Sequence, residues 1–489
     1  MDNLWQATLS GIRWTLGARV ALQLVSWPIT LISMRLLEPR DYGLLALSTI
    51  VLGVITLVSD LGFGVTMVQA KQADEAAMRS ASGLMILFSV LLAGVLVWSA
   101  PLIASWFSEP ELAPVLRVMS LHTIVTALAL APEINLERQL RFKELSISLL
   151  ASGVCGVTVT LIGALLGWSV WALVAGMLTG TFVRSGLQIF YHRGLVLPAP
   201  SLQALRLHIR AGGYIMGSRA LWYWYTQSDQ IILGRLMNAT ALGSYNVASQ
   251  IAMLPVAKAM DTINRVAFPT LSRLNERDSI GIANIHVRLL GLTALYGIGV
   301  CWGLAAVADG LIPLLLGNQW QAAASALSFL ALVAPLRMLA AVQNTAATAA
   351  GSPQAVTKEL LLASLTVPLA VWVGALTGDI VNAAIAWVCT YPLIYLASTW
   401  FTARAVGIPY LRCIRPLAAP MLAGALMMAS VTLVEYALQE IAGRVTVLAA
   451  SVVAGALTYF LGMQLLAPVL VQDARRSLVD IARPGAATH

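Results

Sequence analysis

The sequence predicts an all-α integral membrane protein of about 14 transmembrane helices, with two parallel-repeat six-helix lobes around a central cavity and a C-terminal helix pair. Hydrophobic residues make up 59% of the 489 residues, and only 11% are charged. Apolar stretches of about 20 residues, long enough to cross the hydrocarbon core as helices, recur along the whole chain. A short motif also occurs twice, 200 positions apart.

Apolar runs bounded by charged residues, proline or glycine predict the helices in order. The first run lacks the basic start and small-residue cleavage site of a signal peptide, so it is expected to remain as an anchor. The four cysteines lie in or beside these runs without the spacing of metal ligands, which favours packing roles. The predicted helices cover residues 12–34, 43–68, 82–106, 113–136, 145–166, 169–190, 211–234, 242–270, 286–308, 322–349, 359–377, 380–402, 417–438 and 445–470.

The distribution of Lys and Arg supports this order, because these residues are enriched in cytoplasmic loops. Of the 30 basic residues, 18 follow even-numbered predicted helices or lie in the C-terminal tail. Only Arg35, Arg40, Arg235 and Arg444 follow odd-numbered helices. Both termini are therefore predicted to be cytoplasmic. The net charge of +8 is explained by the inner loops, without nucleic-acid binding.

The motif that occurs twice marks an internal repeat. It reads RLLEPRDYG at 35–43 and RLMNATALG at 235–243, after the first and seventh predicted helices. Six helices separate the copies, and an even number preserves direction through the membrane, so the repeats are expected to be parallel. A second match, GWSVWALVAG at 167–176 with GDIVNAAIAW at 378–387, opens the sixth helix of each half at an offset of 211.

These matches divide the chain into an N-terminal lobe at 1–200, a C-terminal lobe at 201–410, and helices 13 and 14 with a cytoplasmic tail at 411–489. No loop exceeds about 20 residues, which leaves no room for a soluble catalytic domain. The sequence shows no catalytic nucleophile, metal-ligand cluster or phosphate-binding glycine loop. It therefore predicts neither an enzyme nor a bound cofactor or metal.

Basic residues inside predicted helices indicate an anionic substrate. A charge at mid-bilayer costs about 3 kcal/mol on insertion scales, so each needs a partner, a hydrated cavity or a function. Arg19 and Gln23 lie one turn apart on the first helix, and Arg219 and Tyr223 repeat that spacing on the seventh. A guanidinium holds phosphate oxygens, and aromatic rings and amides suit sugars, so these four residues are candidates for substrate binding. Alternatively, Arg219 pairs with a neighbouring carboxylate.

Further charged residues follow in the second half. Lys258, Asp261 and Arg265 lie on one face of the eighth predicted helix, and Arg337 lies on the tenth. A salt-bridge ladder within the helix explains Asp261 but leaves a surplus positive charge. Lys258, Arg265 and Arg337 are therefore predicted to line a hydrated cavity and contact the substrate.

Intramembrane carboxylates are candidates for ion coupling, because a buried carboxylate can exchange protons. Asp60, Glu133 and Asp261 are the candidates, although Asp60 alternatively lies at the cytoplasmic interface. His122 and Glu133 share one helical face with Thr126 and Ala129, in the pattern of a proton relay. The predicted helices contain five deep basic residues and four acidic ones, namely these three and Asp229. The cavity is therefore expected to carry a net positive charge.

Several blocks of the sequence resemble the Wzx-like polysaccharide transporter family of the multidrug/oligosaccharidyl-lipid/polysaccharide exporter superfamily. They are the segment that begins RLLEPRDYGLLALSTIVLGVI, EPELAPVLRVMSL, LERQLRFKELS, SDQIILGRLMNATALGSYNVASQIAMLPV and VAFPTLSRL. The resemblance implies two six-helix lobes that form a V-shaped cavity, two further helices, and transport by alternating access.

It also implies a function. Such proteins flip undecaprenyl-pyrophosphate-linked oligosaccharide units across the bacterial inner membrane for exopolysaccharide, capsule or O-antigen synthesis. Cationic cavity residues hold the headgroup in relatives, a role that Arg19 and Arg219 match, and ion gradients are implicated. The implied partners are the lipid-linked oligosaccharide, membrane lipid, and a polymerase and chain-length regulator of the same pathway, with no nucleic acid.

Two other functions are open. A cation-coupled multidrug exporter of the same superfamily would favour an acidic cavity and twelve helices. A membrane polymerase or ligase would be an enzyme, and it would display a large periplasmic loop with catalytic Arg or His, whereas the predicted outer loops are short.

Overall fold

The computed structural model describes the backbone of residues 2–60, 75–194, 202–274 and 279–482. It describes the side chains of residues 11, 14–59, 79, 82–194, 217–260, 281 and 283–476. Every long element in these ranges is an α-helix, which confirms the predicted fold class. The helices are α1 Asp2–Leu36, α2 Pro39–Asp60, α3 Glu75–Phe107, α4 Leu112–Arg138, α5 Phe142–Leu165, α6 Val170–His192, α7 Leu202–Leu236, α8 Ala239–Leu274, α9 Ser279–Leu316, α10 Gln321–Ala349, α11 Pro353–Ala375, α12 Ile380–Val406, α13 Tyr410–Leu438, α14 Arg444–Leu466 and α15 Pro468–Ala482.

The predicted membrane segments correspond one to one to α1–α14. Within the described residues, 12 of these helices are long and apolar enough to cross a membrane, namely α1–α6 and α9–α14. The other two, α7 and α8, are more polar. For example, α7 carries Arg219, Asp229 and Arg235. The chain is a multi-span membrane protein, and the count of 14 stays approximate.

Some helix ends differ from the sequence prediction. Helix α9 continues to Leu316, beyond the end expected at residue 308. Helix α11 begins at Pro353, where the fixed φ of proline suits a first helical position, although the start was expected at residue 359. Helix α9 continues through the charged and flexible pair Asp309–Gly310 into a further apolar segment, and α11 starts in the polar segment before Glu359.

The helices form two compact units, Met1–Ser244 and Tyr245–His489. The first unit holds α1–α7 and the beginning of α8, and the second holds the rest. The lobe boundaries near residues 200 and 410 come from the sequence repeat. Packing does not test that criterion, so they stay predictions.

In the first unit, α4 packs against α2, α3 and α6, and α5 packs against α1 and α6. Its core includes Leu44, Leu96 and Leu116, which are almost completely buried. Large apolar side chains such as Leu24 and Trp98 are exposed on the outside of the unit. This arrangement is typical of a membrane protein, whose outer apolar surface faces lipid.

Helices α5 and α6 approach each other closely through glycines. A Cβ atom on Gly176 would overlap the hydroxyl of Thr160 and would lie 2.7 Å from the carbonyl oxygen of Gly156. A Cβ atom on Gly180 would lie 3.2 Å from the carbonyl oxygen of Ser152. Small residues allow such close backbone approach in membranes, where packing replaces the hydrophobic effect as the main attraction between helices.

In the second unit, α10 packs against α9 and α12, α12 packs against α11, and α13 packs against α9 and α14. Trp320, Trp387 and Tyr245 are its largest fully buried side chains. The amphipathic helix α15 begins by burying Val471 in a cluster with Ala423 and Met463. Arg288 of α9 also forms a salt bridge with Asp473 of α15, with Nε and Oδ2 3.4 Å apart.

Candidate functional site

The two copies of the repeated motif form equivalent helix starts. In the first copy, Asp41 at the third position of α2 accepts a hydrogen bond from the backbone N–H of Glu38, at 3.0 Å. In the second copy, Asn238 accepts one from the backbone N–H of Ala241 at the third position of α8, at 2.8 Å. These are the two halves of a capping box, which satisfies N–H groups at a helix start.

The two helix starts also contact each other reciprocally. A Cβ atom on Gly43 would overlap the carbonyl oxygen of Ala239, and one on Gly243 would overlap that of Pro39. At the repeat offset of 200, Pro39 corresponds to Ala239 and Gly43 to Gly243. The same pair of positions therefore makes both halves of the contact, as a two-fold relationship requires.

Ionic and polar contacts hold this region together within the first unit. Arg40 forms salt bridges with Glu109 at 3.4 Å and with Glu111 at 3.1 Å. Glu109 also accepts a hydrogen bond from the backbone N–H of Ala239, at 2.9 Å. Asp41 accepts a hydrogen bond from Ser169, at the start of α6. The turn therefore has a structural role in joining α2, α6, α8 and the α3–α4 connection.

An open cavity of about 500 Å³, lined by both apolar and polar residues, lies between α4, α5 and α6 in the first unit. The predicted relay residues of α4 line it, as do the glycines at which α5 and α6 approach each other. Its polar lining consists of hydroxyl, amide, imidazole and charged side chains. They are His122, Thr126, Glu133, Ser152, Thr160, Thr181, Arg184, Ser185 and Gln188.

Two side-chain contacts join residues of α4 and α6 that line this cavity. Arg184 of α6 donates to Glu133 of α4 across 2.5 Å, so the predicted ion-coupling carboxylate has a cationic partner. His122 Nδ1 lies 2.9 Å from the hydroxyl oxygen of Thr181. Arg184 is not among the site residues predicted from the sequence. The ion-coupling role of Glu133 stays a prediction.

The predicted substrate residues of α1 and α7 lie in the first unit. Arg19 is exposed and Gln23 is partly buried, and Arg219 is partly buried with Tyr223 one turn after it. Both arginines already have interaction partners in the described structure. The Tyr223 hydroxyl donates to the carbonyl oxygen of Ile50 at 2.6 Å, which gives this residue a structural contact between α7 and α2.

Of the predicted cationic residues in the second unit, Arg337 lies against an aromatic ring. Its guanidinium carbon lies 4.7 Å from the ring centroid of Trp387, in a cation–π arrangement. The indole N–H of Trp387 donates to the Tyr245 hydroxyl oxygen at 3.0 Å. Lys258 is exposed on α8 and has an interaction partner. The side chains of Asp60, Asp261 and Arg265 lie outside the described residues.

Sequence reasoning missed a buried acid, Glu359, in the second unit. The predicted eleventh helix starts at residue 359, so the charged pair Lys358 and Glu359 marks its boundary. The signal that was available is Pro353, because a helix that begins there places Glu359 well inside it. Glu359 is 6% exposed.

Comparison with known proteins identifies the family. A family model described as "Polysaccharide biosynthesis protein" matches residues 32–326. The chain is 26% identical to the teichuronic acid biosynthesis protein TuaB of Bacillus subtilis, over 94% of this chain and 95% of the relative. It is 26% identical to the succinoglycan biosynthesis transport protein ExoT of Rhizobium meliloti, over 94% and 92%. It is 23% identical to the lipopolysaccharide biosynthesis protein WzxC of Escherichia coli, over 68% of each chain.

Two solved structures share the fold. An inward closed conformation of the lipid II flippase MurJ matches with a TM-score of 0.73 and 13% identity, over 94% of this chain and 100% of that one. An inward-facing multidrug resistance MATE transporter matches with a TM-score of 0.59 and 14% identity, over 78% and 94%. These matches confirm the predicted transporter fold. Because the family model covers more than half of the sequence, the chain belongs to the polysaccharide biosynthesis protein family.

Proposed function

We propose that this protein flips undecaprenyl-pyrophosphate-linked oligosaccharide repeat units across the bacterial inner membrane by alternating access. The product would supply exopolysaccharide, capsule or O-antigen synthesis. The observation that carries the proposal is the similarity, over nearly the whole chain, to a relative named as a succinoglycan biosynthesis transport protein. The fold shared with a lipid II flippase supports a lipid-linked substrate.

The cationic residues are assigned to the pyrophosphate. Arg19, Arg219, Lys258, Arg265 and Arg337 replace the hydration of phosphate oxygens, since guanidinium and ammonium groups make strong charge-assisted hydrogen bonds. The sugars interact with polar and aromatic groups, including Gln23 and Tyr223, while the polyprenyl chain remains in lipid. Asp60, Glu133 and Asp261 are the candidates for ion coupling.

The proposal includes an orientation and partners. Both termini lie in the cytoplasm, as the distribution of basic residues indicates. A polymerase and a chain-length regulator of the same pathway act on the translocated unit. The protein is a transporter and carries out no covalent chemistry on its substrate. The multidrug alternative is disfavoured because TuaB, WzxC and ExoT, which this chain matches over most of their length, are named for polysaccharide biosynthesis.

Charge reversal at Arg219 tests the assigned role. Loss of a charge-assisted contact costs about 1.5–3 kcal/mol, so export by Arg219→Glu is expected to fall roughly 10- to 100-fold. The measurement is surface polysaccharide in a deletion strain that expresses the variant, with the amount of protein in the membrane determined in parallel. Arg444→Glu, at an exposed arginine that begins α14, is the matched control and is expected to export normally.

The two possible failures are distinct. Normal export by Arg219→Glu would remove Arg219 from the substrate site but leave the function standing. Normal polysaccharide export by the deletion strain itself would contradict the proposed function.

A further inference from the structure

Glu359 is a carboxyl group inside the second unit for which the transport proposal assigns no role. The Ser398 hydroxyl of α12 donates to its Oε2 at 2.8 Å, and the Asn344 side chain of α10 also interacts with it. Among the ion pairs of the described residues, none includes Glu359. The ammonium nitrogen of its neighbour Lys358 instead lies 5.9 Å from the ring centroid of Phe401.

A group of buried polar atoms lies beside the residues that contact Glu359. Gln343 Oε1, both ring nitrogens of His286 and the Tyr395 hydroxyl make no hydrogen bond of good geometry in the described structure, although Gln343 interacts with both His286 and Tyr395. The Gln343 side-chain nitrogen Nε2 donates a hydrogen bond to the Thr399 hydroxyl oxygen at 2.5 Å. Gln343 and Thr399 are direct neighbours in sequence of Asn344 and Ser398, which contact Glu359. The carboxyl group therefore adjoins a region of α9, α10 and α12 with unused hydrogen-bonding capacity.

The internal repeat gives a useful contrast. At the offset of 211, Glu359 corresponds to Ser148 of α5, and Tyr395 corresponds to Arg184 of α6. Ser148 is fully buried, and its hydroxyl donates to the carbonyl oxygen of Glu144 at 2.9 Å. The acid of the first unit, Glu133, has Arg184 as its partner. The second unit thus places an acid where the first has a neutral residue, and a phenol where the first has the cation.

A carboxylate without a cationic partner is costly inside a membrane protein, because desolvation penalises its charge. We propose that Glu359 is a proton-exchange site of the second unit, at which a carboxylate oxygen binds a proton as O–H and releases it to water when its surroundings hydrate. This inference rests on the proposed transport function, to which the exchange would be coupled. On release, the carboxyl O–H bond breaks as a water molecule takes the proton and forms an O–H bond with it; uptake is the reverse, and no oxidation state changes.

The titratable groups near this site are few. Among the described residues, His286 of α9 and Tyr395 of α12 lie beside Gln343, and Cys413 and Tyr410 of α13 interact with Tyr395. Lys358 is on the same helix as Glu359. The side chains that α10 presents here, Gln343 and Asn344, do not titrate. Glu359 is therefore the carboxyl group among these residues, and His286, which interacts with Gln343, is the imidazole of the same cluster.

Infrared spectroscopy tests proton binding directly. The full-length protein in lipid is titrated with acid and base, and the carbonyl band of protonated carboxyl groups is recorded. We expect a band that disappears at high pH in the wild type, is absent from Glu359→Gln and is retained in Glu440→Gln, at an exposed glutamate outside the site. Identical bands in the wild type and Glu359→Gln would overturn the proposal. If Glu359→Gln does not fold, Glu359→Asp keeps the acid, and the same band must shift in frequency.

Proteoliposomes test the coupling. The probe is a polyprenyl-pyrophosphate-linked oligosaccharide isolated from the producing cells, and its movement is measured with and without a proton gradient. We expect the gradient to accelerate transport by the wild type and by Glu440→Gln, an exposed control, but not by Glu359→Gln. Retention of the wild-type gradient response in Glu359→Gln would overturn the coupling. If the wild type moves no lipid, the transport proposal fails, whereas the infrared result still decides whether Glu359 binds a proton.

Discussion

Glu133 and Arg184 are 51 positions apart in sequence and form one ion pair beside the cavity between α4, α5 and α6. The Arg184 side chain is 47% exposed and that of Glu133 is 25% exposed. Glu137, one turn further along α4, also interacts electrostatically with both. The pair is therefore partly screened, and its contribution is expected to lie between those of surface and buried pairs.

A charge exchange measures this pair. Glu133→Arg and Arg184→Glu are each expected to lower the free energy of unfolding by about 1–2 kcal/mol, because each places like charges together. The double variant restores opposite charges and is expected to recover most of that loss. Thermal unfolding of the detergent-purified protein is the measurement, and Arg193→Glu, at an exposed arginine after α6, is the control. A double variant as unstable as the sum of the two would contradict a direct pair.

At the scale of helices, the starts of α2 and α8 pack closely against each other at Gly43 and Gly243. Each glycine faces a backbone carbonyl oxygen of the other helix. A methyl group added at either glycine would overlap that oxygen, and the overlap could be removed only by moving the backbone of one helix. The sequence marked both positions as the ends of a repeated motif. It did not reveal that the two copies touch each other, because a repeat specifies equivalence and not contact.

Glycine-to-alanine variants test this contact. Gly43→Ala and Gly243→Ala are each expected to destabilise the protein by about 1–3 kcal/mol, the usual cost of overpacking. The double variant should cost less than the sum, because separation of the helices by the first methyl group makes room for the second. Gly94→Ala, at an open position of α3, is the control and should not destabilise. Additive losses, or singles as stable as Gly94→Ala, would contradict the reciprocal contact.

At the scale of the whole molecule, the helix order and the basic residues together specify a topology. Turns after odd-numbered helices carry few basic residues, and those after even-numbered helices carry many. The ninth turn lies at Gly317–Trp320, later than the sequence indicated, because α9 runs to Leu316. The cytoplasmic termini are part of the proposal and follow from this charge bias, whereas the inner-membrane location is proposed from the resemblance to the transporter family.

Reporter fusions test this topology. Alkaline phosphatase fused after Glu109 or after Gly317 is expected to be active, because both turns are predicted to be periplasmic. A green fluorescent protein fused after Gly194, in a turn that follows α6, is expected to fluoresce, because it remains in the cytoplasm. Reporter activity is normalised to the amount of fusion protein. Inactive phosphatase at either outer position would contradict the alternation of all helices before it.

The sequence by itself determined the membrane class, the order of the helices, the internal repeat and the family. Hydropathy, charge bias and repeated motifs are properties of the sequence, so they can be identified without knowing which residues are in contact. The resemblance to polysaccharide transporters also came from the sequence, and the family match confirms it. The roles of Arg19, Arg219 and the other candidate site residues stay predictions.

Only the tertiary structure decided which charged residues have partners. It paired Glu133 with Arg184, placed Tyr223 against Ile50, and buried Glu359 beside Ser398. The physical reason is that a partner depends on the rotation of each helix about its axis and on the neighbours it packs against. Apolar runs fix the length of a membrane helix but not this rotation, because lipid and helix neighbours are both apolar.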